Sequence, residues 1–233
     1  MKKFIYILSI FGLITLTSCE KTSEDPSKIT YFIIFEMNGD ATMHVPIGST
    51  FTDPGVKAME GETDVTSSVS ITNPVNINKA GFYTISYSVA NVDGLKNTIT
   101  RTVIVYDPDF STDISGTYTV ADGTHRFAEA TGVITPYSGY SINITTFLPG
   151  IFYVSDFFGG YYDQRAEYGA TYAMTGYITL NNDNSMELQS SFVRGWGDSL
   201  SSFKNGVYDP ETGIVSFDAG YVNAYIFSVI LTK

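Results

Sequence analysis

The sequence predicts an all-β protein built as two units. Beyond residue 30 no segment keeps an apolar period of 3.6 for more than two turns, while apolar–polar alternation recurs between clusters of Gly, Pro, Asn and Asp. At Asp107-Pro108-Asp109 a run ends on a proline that cannot donate to a strand ladder, and polar Ser111, Thr112 and Asp113 follow. Composition shifts at the same place: 22 of the 34 aromatic residues lie in positions 117 to 233, so the two sides bury different side chains. The units are therefore placed at 28–107 and 111–233. With 43% apolar and 16% charged residues, the chain has the material for packed cores.

The chain opens on Lys2 and Lys3, followed by an apolar run of 13 residues at positions 4 to 16. As a helix that run spans about 20 Å, too short for a bilayer core of about 30 Å, so residues 1–18 read as a signal peptide. Leu16-Thr17-Ser18-Cys19 resembles the lipobox of bacterial lipoproteins. The resemblance implies cleavage before Cys19 and acylation of that residue, the only cysteine in the chain. Several acyl chains anchor stably where one is marginal. Residues 19–27, with polar Glu20 to Ser27, then serve as a flexible tether. The acidic stretch after the cysteine resembles the surface-export signal of some Gram-negative lipoproteins. The expected place is the outer membrane, lipid-anchored and facing the cell exterior.

In the first unit Phe82 to Val89 and Thr98 to Tyr106 alternate cleanly, and Asn91-Val92-Asp93-Gly94 between them carries a dipeptide that hairpin turns favour. The two runs should pair. In the second unit eight more runs qualify: 114–120, 141–147, 151–155, 171–180, 185–192, 206–208, 214–217 and 225–231. Asn181 to Asn184 and Asp209 to Gly213 are the clearest turns.

The series Gly48 to Phe51, Asp53 to Val56, Asp64 to Thr66, Ala80 to Tyr87, Asp93-Gly94 and Arg101 to Val105 resembles the immunoglobulin-like domain of bacterial surface proteins, of the kind also found in pesticidal crystal proteins. The resemblance implies a small antiparallel sandwich that acts as a spacer. Alternation places Tyr83, Ile85, Tyr87 and alternate residues of 101–106 on the inner faces. Asp53, Asp64 and Asp93 read as turn formers rather than calcium ligands.

In the second unit Asp156 to Tyr162, Arg194 to Ser199 and Tyr208 to Gly213, with the closing run Ile226 to Lys233, resemble the C-terminal domain of two-domain surface lipoproteins from gut-type Gram-negative bacteria. The implied architecture is an antiparallel barrel or sandwich, and no chemistry comes with it. A ring flanked by glycines keeps its face uncovered and can stack on the C–H face of a sugar. Trp196 with Arg194 and Asp198 is the best such constellation, followed by Tyr161 and Tyr162, then Tyr137 and Tyr140. The competing reading makes Trp196 a core residue, its glycines marking a bulge or corner.

Catalysis finds little support. His44 and His125 lack a nucleophile-elbow context, and Asp156 with Asp198 is merely a nominable glycosidase pair, with nothing local to raise either pKa. No P-loop, dinucleotide fingerprint or zinc spacing occurs, so no metal or cofactor is expected. A formal charge of −11 opposes nucleic acid. The expectation is a non-catalytic surface lipoprotein that binds extracellular glycan, or helps a neighbouring outer-membrane transporter capture it. The alternative is an adhesive protein that meets a protein partner through its C-terminal domain.

Overall fold

The computed structural model describes residues 29–233. The expected signal peptide and tether, with Cys19, lie outside the described residues. None of the described helices is long and apolar enough to cross a membrane.

Seven strands form the first unit: β1 (Ile33–Met37), β2 (Thr42–Pro46), β3 (Val56–Glu60), β4 (Thr63–Asp64), β5 (Ser70–Thr72), β6 (Gly81–Ala90) and β7 (Lys96–Tyr106). They make two sheets, β1-β3-β4 and β2-β7-β6-β5, with β2 parallel to β7 and the other pairings antiparallel. The expected hairpin of β6 and β7 is present, with Gly81 to Ala90 paired against Lys96 to Val105. Its loop is wider than a two-residue turn because the Asn91 carboxamide organises it. Asn91 Oδ1 accepts the N–H of Asp93 (3.1 Å) and of Leu95 (2.8 Å), and its Nδ2 donates to the Tyr31 carbonyl (2.7 Å).

The inner face carries Ile85, Tyr87, Val103 and Val105, as alternation predicts, and also fully buried Arg101. The guanidinium pairs with Asp53 and donates to the carbonyls of Asp40 (3.0 Å), Asn38 and Gly55 (3.3 Å). Tyr87 donates its hydroxyl to Asp53 Oδ1 (2.6 Å). Asp53 therefore does more than form a turn: it neutralises the one cation in the core, where an uncompensated charge would be costly. Burial and the bond to Asp53 raise the Tyr87 pKa.

Ten strands form the second unit: β8 (Gly116–Val120), β9 (His125–Ala128), β10 (Val133–Pro136), β11 (Ser141–Leu148), β12 (Ile151–Val154), β13 (Met174–Leu180), β14 (Met186–Val193), β15 (Ser202–Asp209), β16 (Ile214–Tyr221) and β17 (Tyr225–Thr232). All belong to one antiparallel sheet. One side of β17 meets β16, and its other side meets β9 through Tyr225 to Ser228 and β8 through Leu231 and Thr232. Buried Thr124 bridges the gap between β8 and β9, its Oγ1 accepting the N–H of Ile230 (2.9 Å). The sheet curls until β14 and β15 approach, and an isolated bridge between Ser185 and Val207 joins the two sides. The result is a partly closed barrel. Inward residues follow a period of two, including Tyr118, Val120, Ile142, Ile144, Phe152, Val154, Val229 and Leu231.

The two units touch through rings. Phe82 of β6 packs on Phe147 (6.3 Å) and Tyr177 (5.4 Å), and His44 meets Phe147 edge-on at 6.1 Å. Gln189 accepts the Phe82 N–H at 2.8 Å, and Lys79 pairs with Glu187 at 2.8 Å.

Candidate functional site

The segment between β12 and β13 builds an aromatic wall, and Asp156 sets its shape. Asp156 is 2% exposed, and its carboxylate accepts the N–H groups of Phe158 (2.8 Å), Met174 (2.9 Å) and Gly160 (2.9 Å). Burial lifts its pKa to about 7, against the pull of those three donors. This corrects the expectation that nothing local raises it. A lifted carboxylate in a cleft is a catalytic hint, but here both oxygens are used to hold backbone.

Gly159 and Gly160 follow in left-handed conformations (φ +60° and +78°), and a Cβ on Gly160 would come within 2.8 Å of Tyr140 Cβ. One π-helical turn spans Tyr161–Arg165, closed by Ala166 N–H on the Tyr161 carbonyl at 3.0 Å. Gln164 pins it to β11 by exchanging two hydrogen bonds with Ser141 (3.1 and 2.8 Å). A short 3₁₀ turn, Ala170–Tyr172, completes the segment.

Trp196 lies in the turn after β14, where Gly197 adopts φ +74°. Trp196 is 38% exposed, and its ring contacts Tyr162 (4.8 Å), Tyr172 (4.8 Å), Tyr221 (5.9 Å) and Tyr168 (6.3 Å). Tyr168 is 56% exposed. Gly195 is required, because a Cβ there would sit 2.5 Å from the Tyr172 ring. Trp196 is thus neither core nor bare: four tyrosines hold it, and part of it faces solvent. Asp198 accepts the Tyr221 hydroxyl at 2.9 Å, which together with burial raises the Tyr221 pKa.

Two of the proposed ligand contacts are core residues instead. Tyr161 is buried because the π turn, unlike a strand, does not send neighbouring side chains to opposite faces. Its ring stacks with Arg126 (4.7 Å) and Arg165 (4.9 Å). Tyr137 is buried and donates its hydroxyl to the Phe158 carbonyl at 2.8 Å. Tyr140 is half-buried against the core, and Tyr162 bridges from the core to Trp196. Arg194 separates from Trp196 and lines a cavity with Tyr153 and Phe192. Alternation marks Tyr153 as outward-facing, yet no glycine flanks it, so the sequence criterion passed over it. Among the described residues no cluster of three or more His, Cys, Asp or Glu is arranged to hold a metal.

The model of a bacterial surface protein Ig-like domain matches residues 35–105, and that of a C-terminal domain family matches residues 107–233. Among solved structures, the lipoprotein BT2262 from Bacteroides thetaiotaomicron is 41% identical, with 87% of this chain and 100% of that one covered and a TM-score of 0.50. The CBM51-2 structure of Clostridium perfringens ZmpB, in complex with GlcNAc and with INT domains, matches at 19% identity, over 52% of this chain and 31% of that one, with a TM-score of 0.29. A second ZmpB structure, of the M60 catalytic domain with two CBM51 domains, matches at 16% identity, over 52% and 14%, with a TM-score of 0.27. At those scores neither bears on function. No curated protein matches. With 41% identity along the full length of the Bacteroides lipoprotein and a C-terminal family model over 107–233, the chain belongs to the family of the lipoprotein BT2262.

Proposed function

We propose that this protein is a non-catalytic surface lipoprotein, acylated at Cys19 and held in the outer membrane facing outward, whose C-terminal unit binds extracellular glycan or helps a neighbouring transporter capture it. The first unit is the spacer. The name of the Bacteroides relative supports the lipid anchor. One observation carries the glycan reading: Trp196, 38% exposed, stands beside Tyr168 on a wall of tyrosines that contacts its ring. A fixed, half-open ring offers an apolar face to sugar C–H groups at little cost in side-chain entropy.

The test is a glycan array followed by affinity electrophoresis on a fragment starting near residue 22. Trp196→Ala should weaken binding about tenfold, equivalent to about 1.4 kcal/mol, with little change in melting temperature. A collapse in melting temperature would instead make Trp196 a structural residue. A second reading, adhesion to a protein, is favoured by Val133 and Ile134, both exposed on β10 at the edge of the sheet. An array without binders would point there.

A further inference from the structure

A second concave surface of the C-terminal unit lies beside the Ala170–Tyr172 turn, whose Tyr172 packs on Trp196. Two cavities of about 520 and 270 Å³ share Tyr153, Ala170, Ala173 and Thr175, so they form one groove over the outer face of β12 and β13. Their volumes lie near the range of small-ligand sites. The Tyr153 side chain points outward from β12, between buried Phe152 and Val154, and its ring leans on Tyr177 at 5.4 Å. Phe192, 49% exposed, adds a second aromatic surface.

Polar groups are placed toward opposite ends. Asp163 and Asn143 line the larger cavity and Arg194 the smaller. Asn143 spends its oxygen on the Thr117 hydroxyl (2.8 Å), which leaves its N–H donors. Among the described residues, the Tyr153 hydroxyl, the Asp163 carboxylate and the Arg194 guanidinium make no hydrogen bond or ion pair. Asp156, which also lines the larger cavity, is by contrast engaged by three backbone N–H groups. Aromatic surface with uncommitted polar groups beside it is the combination that sugar sites use.

We propose that this groove binds an oligosaccharide carrying a single acidic sugar, with the carboxylate against Arg194, a neutral sugar over Tyr153, and hydroxyls donated to Asp163. Arg194 is the only cation lining either cavity, and its planar fork suits a carboxylate. Asp163 at the other end repels a second carboxylate, as does the overall charge of −11, so a polyanion is disfavoured. The proposal shares the ligand class of the function proposed above but uses different residues, so either can fail alone.

The experiment measures affinity of the soluble fragment for sialyllactose and aldotriouronic acid, with lactose and xylobiose as their neutral cores. Expected is preference for at least one acidic member over its core, about tenfold weaker binding of both in Tyr153→Ala, and loss of the preference alone in Arg194→Gln. Because Arg194 is exposed and makes no bond, Arg194→Gln stays interpretable even if Tyr153→Ala disturbs Tyr177. The groove is refuted if the parent binds none of the four, if acid and core bind alike, or if the preference survives in Arg194→Gln. Loss of binding in Trp196→Ala with Tyr153→Ala and Arg194→Gln at parental affinity would overturn the groove and leave the Trp196 platform standing. The converse pattern supports the groove and removes the platform.

Discussion

Two buried charges are managed in opposite ways. Arg101 is neutralised by Asp53, 48 residues upstream, whereas Asp156 is buried with backbone N–H groups as its hydrogen-bond partners and the Asp163 charge acting on it, and burial makes it hold its proton more tightly, with a pKa of about 7. An ordinary aspartate titrates near 3.9. The folded state therefore binds more protons than the unfolded chain between about pH 4 and 7, so this group's contribution is full below that window and is lost as pH rises through it. Melting temperature should fall with rising pH across the window in the parent and less steeply in Asp156→Asn, which at low pH is also about 1–3 kcal/mol less stable because the Gly160 N–H meets an amide. Parallel profiles from calorimetry would remove this role. At this scale the sequence exposed Trp196, Asp198 and Tyr162, because glycines and polar neighbours mark them. It hid Arg101, whose inward position followed from alternation but whose partner lies far off in the chain. It misplaced Tyr161 and Tyr137, whose burial depends on a turn type that local pattern does not encode.

Strand geometry explains the next set of features. Between β13 and β14 the register shifts at Tyr177 and Ile178, a bulge that turns Gln189 toward Phe82 of the first unit. The neighbouring strands approach closely at Gly176, where a Cβ would fall 2.0 Å from the Ser190 carbonyl oxygen. Gly176→Ala must push backbone apart and should cost about 1–3 kcal/mol or more, read as an earlier urea midpoint for the second unit. An unshifted midpoint would contradict that geometry. The sequence located β6, β7, β11 and β12 to within two residues at each end, since each is an apolar-rich run bounded by turn residues. β15 was legible only at 206–208 because a register shift between Lys204 and Val207, with Asn205 at φ +53°, breaks its alternation. β9 and β10 were not legible at all: β9 is half-buried along its length, which erases the two-residue contrast.

Over the whole molecule, the two units are joined by more than a linker. Phe82, Phe147 and Tyr177 form a shared ring cluster, and Gln189 supplies a hydrogen bond across the junction. The exposed Lys79–Glu187 pair adds little, at most about 1 kcal/mol, and less in salt. Phe147→Ala combined with Gln189→Ala should cost the first unit about 1 kcal/mol and lower its transition by about 4–8 °C in scanning calorimetry, with the second unit's transition less affected. Two transitions at their parental temperatures would show that the units fold independently. The sequence disclosed two units but not this contact, because each ring stands on an outward strand face and reads as surface.

The placement of β17 bears on how such a chain reaches its final form. Thr124 is hydrogen-bonded to Ile230, 106 residues further along, and β8, β9 and β16 all lean on the same late strand. Contacts so distant in the chain make closure slow. The first unit needs no strand beyond β7, whereas the second cannot close until β17, the last strand, is in place.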